Sequence, residues 1–94
     1  MIKSFKDKRT RLILEKEDSI KGMASEIQRK ARIKLLIIDS ASGIDDLLSP
    51  PGNRLEKLKG SRREQYSIRI NNQWRICFRF EDGNFYDLEV VDYH

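Results

Sequence analysis

The chain of 94 residues has one cysteine, one histidine, two prolines and no purely apolar run longer than four residues. With Cys77 alone, neither an intramolecular disulfide nor a CxxC-type zinc site can form, and a reducing cytoplasmic compartment is expected. The longest apolar run, residues 35–38, falls far short of the roughly 20 residues that span a bilayer, so no membrane segment is expected. Residues 1–5 are basic and apolar, but no hydrophobic stretch with a small-residue cleavage site follows, and no secretion signal is expected. GxSxG, the P-loop, GxGxxG and HExxH are all missing, and one imidazole cannot build a His-rich metal site. No metal or other cofactor is expected.

What the chain does hold is charge and aromatic surface. Charged residues make up 36% and hydrophobic residues 38%, with Trp74, four Phe and three Tyr to build a core, which argues against disorder. A chain of this length buries roughly 60–68% of its unfolded surface. One domain over residues 1–94 is therefore expected. The net charge of +4 is unevenly spread: residues 1–39 hold 11 basic and 6 acidic residues, and 50–80 hold 8 basic and 2 acidic. Residues 40–49 add only Asp45 and Asp46, and the last fourteen residues hold five acids with no Lys or Arg. This block pattern predicts a cationic surface beside an acidic strand.

The chain opens with an alternation over residues 2–5 that fits a short edge strand. Asp7 can cap a short basic helix over residues 7–17 with Ile13 and Leu14 inward, and Gly22 breaks it. Ser25-Glu26-Ile27-Gln28 matches a capping box, after which Ile27, Ala31, Leu35 and Ile38 recur at helical spacing to about residue 39. A further helical turn is expected around Leu47 and Leu48, before Pro50-Pro51-Gly52 stops regular structure. The remainder alternates as strands: Tyr66, Ile68, Ile70; Trp74, Ile76, Phe78, Phe80; Tyr86, Leu88, Val90. The fold class is thus α+β, with an N-terminal short strand and two helices packed on a twisted antiparallel sheet.

Cross-strand partners share a face, so parity tests the turns. A loop of residues 71–73 sets Ile70 against Trp74 and Ile68 against Ile76, whereas a two-residue turn would oppose Ile68 and Arg75. The same reasoning predicts a loop of residues 81–83, with Gly83 left-handed and Phe78 opposite Tyr86. The helix-facing side is then apolar and the other displays Arg69, Arg75 and Arg79.

Cys77 reads as a small packing residue within a strand. The chemistry-bearing set is Lys57, Lys59, Arg62, Arg63, Arg69, Arg75 and Arg79, with the terminal Asp92-Tyr93-His94. Arginine is a bidentate phosphate ligand, and cations beside aromatics suit an RNA backbone and an unstacked base. The bland counterpart is that these arginines pair with Asp87, Glu89 and Asp92 across the sheet. Cleaving RNA without a metal needs a base for the 2′-hydroxyl, cations for the phosphorane and an acid for the leaving oxygen. Lys59, Arg75 and His94 can cover these roles; a terminal His is otherwise a frayed surface residue. Parity places Asp92 and His94 on the helix side and Tyr93 on the other. Presenting all three to one substrate requires a bulge or twist near Val91, or a strand that outruns the helices.

Several motifs then become recognisable together: Met1-Ile2-Lys3-Ser4-Phe5; Leu55-Glu56-Lys57-Leu58-Lys59-Gly60; Asn72-Gln73-Trp74-Arg75-Ile76-Cys77-Phe78-Arg79-Phe80 with Glu81-Asp82-Gly83; and Val91-Asp92-Tyr93-His94. In this order and spacing they resemble the HigB toxins of the RelE superfamily over the whole chain. Pro50-Pro51-Gly52-Asn53-Arg54-Leu55 looks like the variant in GraT-type members. The resemblance implies a RelE-like fold and a bacterial type II toxin that cleaves mRNA in the ribosomal A site. It also implies a HigA-type helix-turn-helix antitoxin through which operator DNA is bound. By position, Lys59, Arg75, Asp92, Tyr93 and His94 match the family's catalytic residues; Lys57, Arg62, Arg63, Arg69 and Arg79 of the cationic set are expected to bind RNA and ribosome. One departure stands out: Glu56 stands where a family member has His, so either Glu56 acts as base or orienter, or catalysis rests on the other groups. A non-catalytic RNA- or ribosome-binding module and a pure interaction protein are the competing readings.

Overall fold

The first helix, α1 (Lys8–Leu14), starts where a short acidic side chain can reach an unpaired backbone donor: Asp7 Oδ1 accepts from the Thr10 N–H at 2.7 Å. The computed structural model describes residues 1–15 and 20–92. The expected end of α1 near Glu17 lies outside them. Gly22 adopts the left-handed conformation expected of a breaker, with φ of 84°. The second helix, α2 (Ser25–Ser40), buries Ala31, Leu35 and Ile38 on one face. Ile27 is half-buried beside them, and Ile33 and Leu36 are exposed.

The expected capping box does not form. Ala24 occupies the cap position and Ser25 is already helical, so its hydroxyl cannot serve the first turn. The Gln28 amide instead donates to the carbonyls of Met23 at 2.8 Å and Ile20 at 3.2 Å, closing the preceding loop. The turn around Leu47 is a 3₁₀ helix, Ile44–Leu48, which buries Leu47 and exposes Leu48.

Regular structure does not stop at the prolines. A 3₁₀ turn, Pro51–Asn53, leads into a two-residue strand, β1 (Glu56–Lys57). Strands β2 (Tyr66–Arg69), β3 (Trp74–Glu81) and β4 (Asn84–Asp92) complete an antiparallel sheet of order β1-β2-β3-β4, with both helices packed on one face. Ile13, Leu35 and Ile38 meet Ile68, Ile76, Phe78, Phe85, Leu88 and Val90 in one buried cluster. Each such side chain contributes about 1.5–3 kcal/mol by leaving water. The Phe78 and Phe85 rings meet edge to face at 5.5 Å.

Between β2 and β3 the register is as parity requires, with Ile68 opposite Ile76. Asn71 Oδ1 accepts from the N–H groups of Gln73 and Trp74, both at 2.8 Å, which shapes the loop of residues 71–73. The second hairpin differs from expectation. Glu81 pairs with Asn84, so the turn is the two residues Asp82 and Gly83, at φ of 49° and 82°. Phe80 therefore faces Phe85, Arg79 faces Tyr86, and Phe78 is not opposite Tyr86.

The extra residue is taken up further along. Asp87 has φ of 56°, and the register shifts between Cys77 and Arg79. This bulge lets Phe85 and Leu88 both enter the core at a spacing of three, with Tyr86 left partly exposed beside Arg79. It is pinned by the N-terminal segment. Ser4 Oγ accepts from the Asp87 N–H at 2.9 Å and donates to Asp87 Oδ1 at 3.3 Å. Residues 2–5 lie along the β4 edge, but the expected short strand is reduced to isolated parallel bridges of Ile2 to Phe85 and Phe5 to Leu88. Among the described residues no helix is long and apolar enough to cross a membrane.

Candidate functional site

On the sheet face away from the helices the cations divide into two groups with different electrostatics. Arg79 Nε donates to Asp87 at 2.9 Å, its Nη1 lies 3.3 Å from Glu81, and its guanidinium sits over Tyr86. Arg62 lies 3.2 Å from Glu89. The acidic strand thus neutralises these two, as the ion-pairing reading anticipates. The Arg79 hydrogen bond holds the Asp87 carboxyl below its ordinary range. Lys57, Arg63, Glu64, Tyr66, Arg79, Phe80 and Glu81 line an open cleft of about 270 Å³ in which both signs of charge are present.

The other group sits where β2, β3 and the end of β4 converge. Arg69 and Arg75 face each other across the antiparallel pair, an arrangement of like charges that opposes folding. Arg75 is held rigidly: its Nε donates to Ser67 Oγ at 2.8 Å and its Nη2 to the Arg54 carbonyl at 2.7 Å. Ser67 and Cys77 are fully buried in this face, and burial pushes the Cys77 thiol up, which keeps it a neutral packing group. The Glu56 carboxylate lies 3.8 Å from Arg75 Nη2 and is half-exposed, because β1 sets Glu56 opposite Ser67.

Arg54, Arg69, Asn71, Asn72 and Arg75 line an open cleft of about 310 Å³. Arg54 takes the left-handed conformation, with φ of 45°, and the buried Asn53 before it anchors the segment. The Asn53 amide donates to the carbonyls of Leu47 at 3.2 Å and Ser49 at 3.3 Å, and its oxygen accepts from Lys34. Burial lowers the pKa of Lys34.

Of the residues singled out from the sequence, the fold gathers Glu56, Arg69 and Arg75. Asp92 ends β4 opposite Trp74, one residue beyond the Arg75–Val91 pair, and accepts from Gln73 at 3.0 Å. Asp92 is exposed although it follows Val90 on the helix side, so here the strand runs past its cover, and the bulge sits at Asp87 rather than near Val91. Tyr93 and His94 lie outside the described residues. Lys59 is exposed and follows β1 away from Arg75, roughly 10 Å of extended chain beyond Glu56.

With this geometry in place, the chain can be set against known proteins. Residues 3–94 match the family described as "RelE-like toxin of type II toxin-antitoxin system HigB". This chain belongs to the HigB-like toxin family. It is 39% identical to Toxin HigB-1 of Vibrio cholerae over 88% of this chain and 87% of that protein. It is 38% identical to Endoribonuclease HigB of Proteus vulgaris over the full length of both. A crystal structure of YafQ from E. coli superimposes with a TM-score of 0.62 at 9% identity, covering 98% of this chain and 93% of that one. YoeB in a heterotetrameric YoeB–YefM toxin–antitoxin complex from Staphylococcus aureus gives 0.60 at 18% identity, covering 100% and 98%. The fold of this HigB-like toxin is therefore RelE-like.

The residues that complete this candidate site in the HigB-like toxin and escaped the sequence reading are Arg54, Ser67 and Asn71. The adjacent Asn71-Asn72 signalled a turn, but nothing local marks Arg54 as left-handed or Ser67 as the seat of Arg75. Asp87→Asn offers a direct check of the paired group, because Asn tolerates the left-handed backbone. A carboxyl depressed in the folded state adds stability above its unfolded pKa of about 3.9, and that stability is lost as pH falls through the folded value. The variant is expected to melt below wild type at pH 5–7, with the difference closing as pH falls below the ordinary carboxylate range; parallel curves of melting temperature against pH would count against the pair.

Proposed function

We propose that this type II toxin is an endoribonuclease that cuts mRNA in the ribosomal A site. The reaction is attack of a 2′-hydroxyl on the neighbouring phosphorus, with release of a 5′-hydroxyl and a 2′,3′-cyclic phosphate. The observation that carries this reading is the Arg75 guanidinium, held by Ser67 and the Arg54 carbonyl beside the exposed Glu56 carboxylate. Glu56 takes the 2′-hydroxyl proton, Arg75 offsets charge on the phosphorane, and His94 protonates the leaving oxygen, while Lys59, which follows β1 away from Arg75, holds the RNA backbone farther along the strand. Tyr93 stacks on a base, and Asp92 orients the end of the chain. Side chains supply base, cations and acid, so the chemistry needs no metal.

The shape of the site supports ribosome dependence. Its clefts are open, and salt-sensitive phosphate contacts alone do not align a 2′-hydroxyl for in-line attack. Lys57, Arg62, Arg63 and Arg79, at the other end of the face, make contacts to RNA or ribosome in this arrangement. A helix-turn-helix antitoxin of HigA type is the proposed partner that silences the toxin and brings it to operator DNA, and the cytoplasm is the proposed compartment.

The test compares a defined mRNA on purified ribosomes with the same mRNA free in solution at physiological salt. The expected result is cleavage on the ribosome, with a cyclic-phosphate end, and intact free RNA. Rapid cutting of free RNA would overturn ribosome dependence, and ribosome binding without cleavage would establish the non-catalytic module.

A further inference from the structure

We infer that Arg54 and Arg69 form a second phosphate subsite, which holds the phosphodiester next to the one gripped by Arg75. This rests on the proposed reading of Arg75 as the ligand of the scissile phosphate, and it assigns a role to Arg54 that neither motif nor spacing suggests. Three observations support it.

The first is unbalanced charge. Arg62 and Arg79 each have a carboxylate within 4 Å, whereas among the described residues neither Arg54 nor Arg69 has one. Among the described residues no acid lines the Arg54–Arg69–Arg75 cleft, although Glu56 lies 3.8 Å from Arg75. Arg69 also stands directly opposite Arg75, and such a like-charge pair is relieved when an anion lies between its members.

The second is preorganisation. Arg69 donates to the Asn72 side-chain oxygen, within the loop that Asn71 shapes. Arg54 is held in a left-handed backbone between the buried Asn53 and the guanidinium of Arg75 that binds its carbonyl. A non-glycine residue at positive φ is uncommon and is retained where its surroundings enforce it. Here that conformation places Arg54 in the cleft wall beside Arg69.

The third is size. At about 310 Å³ the cleft lies at the low end of small-ligand pockets, which span about 300–1,000 Å³. That is room for one nucleotide's phosphate and sugar, and too little for a folded RNA element. Planar guanidinium groups beside side-chain amides match phosphate oxygens in geometry and sign.

The experiment has two arms on the full-length protein. In the first, fluorescence anisotropy follows binding of a labelled single-stranded RNA heptamer while KCl is raised, for wild type and the double variant Arg54→Ala, Arg69→Ala. Each phosphate contact adds about 0.7 to the slope of log affinity against log salt. Losing the subsite is therefore expected to lower that slope by about 0.7. In the second arm, a methylphosphonate replaces, in turn, each linkage flanking the cut in ribosome-bound mRNA. Wild type is expected to lose about tenfold in cleavage rate at one of the two positions, and the double variant to lose nothing further there.

An unchanged salt slope would overturn the subsite, as would an undiminished methylphosphonate penalty in the variant. If wild type does not cleave at all, the catalytic reading fails while the salt slope still decides the subsite. The double variant is expected to melt no lower than wild type, because one member of a like-charge pair is gone; the Arg54→Gln, Arg69→Gln variant replaces it if folding is impaired.

Discussion

Arg75→Ala is expected to slow mRNA cleavage on the ribosome by at least about 100-fold, a loss near 3 kcal/mol of transition-state stabilisation. The size follows from how the group is mounted. A guanidinium already bonded to Ser67 Oγ and to the Arg54 carbonyl needs little reorganisation as charge builds on a phosphorane oxygen. Arg75→Lys is expected to recover little, because a point charge cannot hold a carbonyl, a hydroxyl and two phosphate oxygens at once. The substitution also leaves two polar groups without that donor, so rates are to be compared below the melting temperature of the variant. Wild-type cleavage by folded Arg75→Ala would make Arg75 a structural strut only.

Deleting Tyr93 and His94 is expected to reduce cleavage by about 10²–10⁴-fold, the range general acid–base catalysis supplies. The fold brings the end of β4 beside the candidate site, since Val91 is the cross-strand partner of Arg75 and Asp92 that of Trp74. A melting temperature within a few degrees of the full chain serves as the folding control. His94→Gln separates proton transfer from stacking: it is expected to remove the limb of the pH–rate profile that belongs to the imidazole, with Tyr93 retained. Wild-type rates from the truncated protein on ribosomes would overturn the assignment of acid and stacking roles to this end of the chain.

Much of this fold was legible because it depends on local alternation. Apolar side chains at i, i+4, i+8 and i+11 define α2, and strict alternation defines β2 and β3. The loop of residues 71–73 followed from parity alone, because no other length puts Ile68 opposite Ile76. That same parity set Arg69 and Arg75 on one face. The second hairpin misled for a specific reason: a bulge adds one residue anywhere in the strand, and the sequence pattern does not say where. The extra residue was assigned to the turn, whereas it sits at Asp87, tied down by Ser4 from the far end of the chain. Phe85 accordingly replaces Tyr86 as the core aromatic.

By itself, then, the sequence determined the α+β class, the main helix, the strand faces and the set of cations, all of which follow from residue type and short-range period. Tertiary structure alone decided how each cation is held. Arg62 and Arg79 are neutralised by Glu89 and Asp87, which lie 27 and 8 residues away, while Arg75 is seated by Ser67 and Arg54, 8 and 21 residues away. Glu56 meets Arg75 only because a two-residue strand, too short to show a period, adds to the sheet edge. Long side chains choose partners by where the backbone delivers them, and those distances are set by sheet register and by one bulge rather than by spacing along the chain.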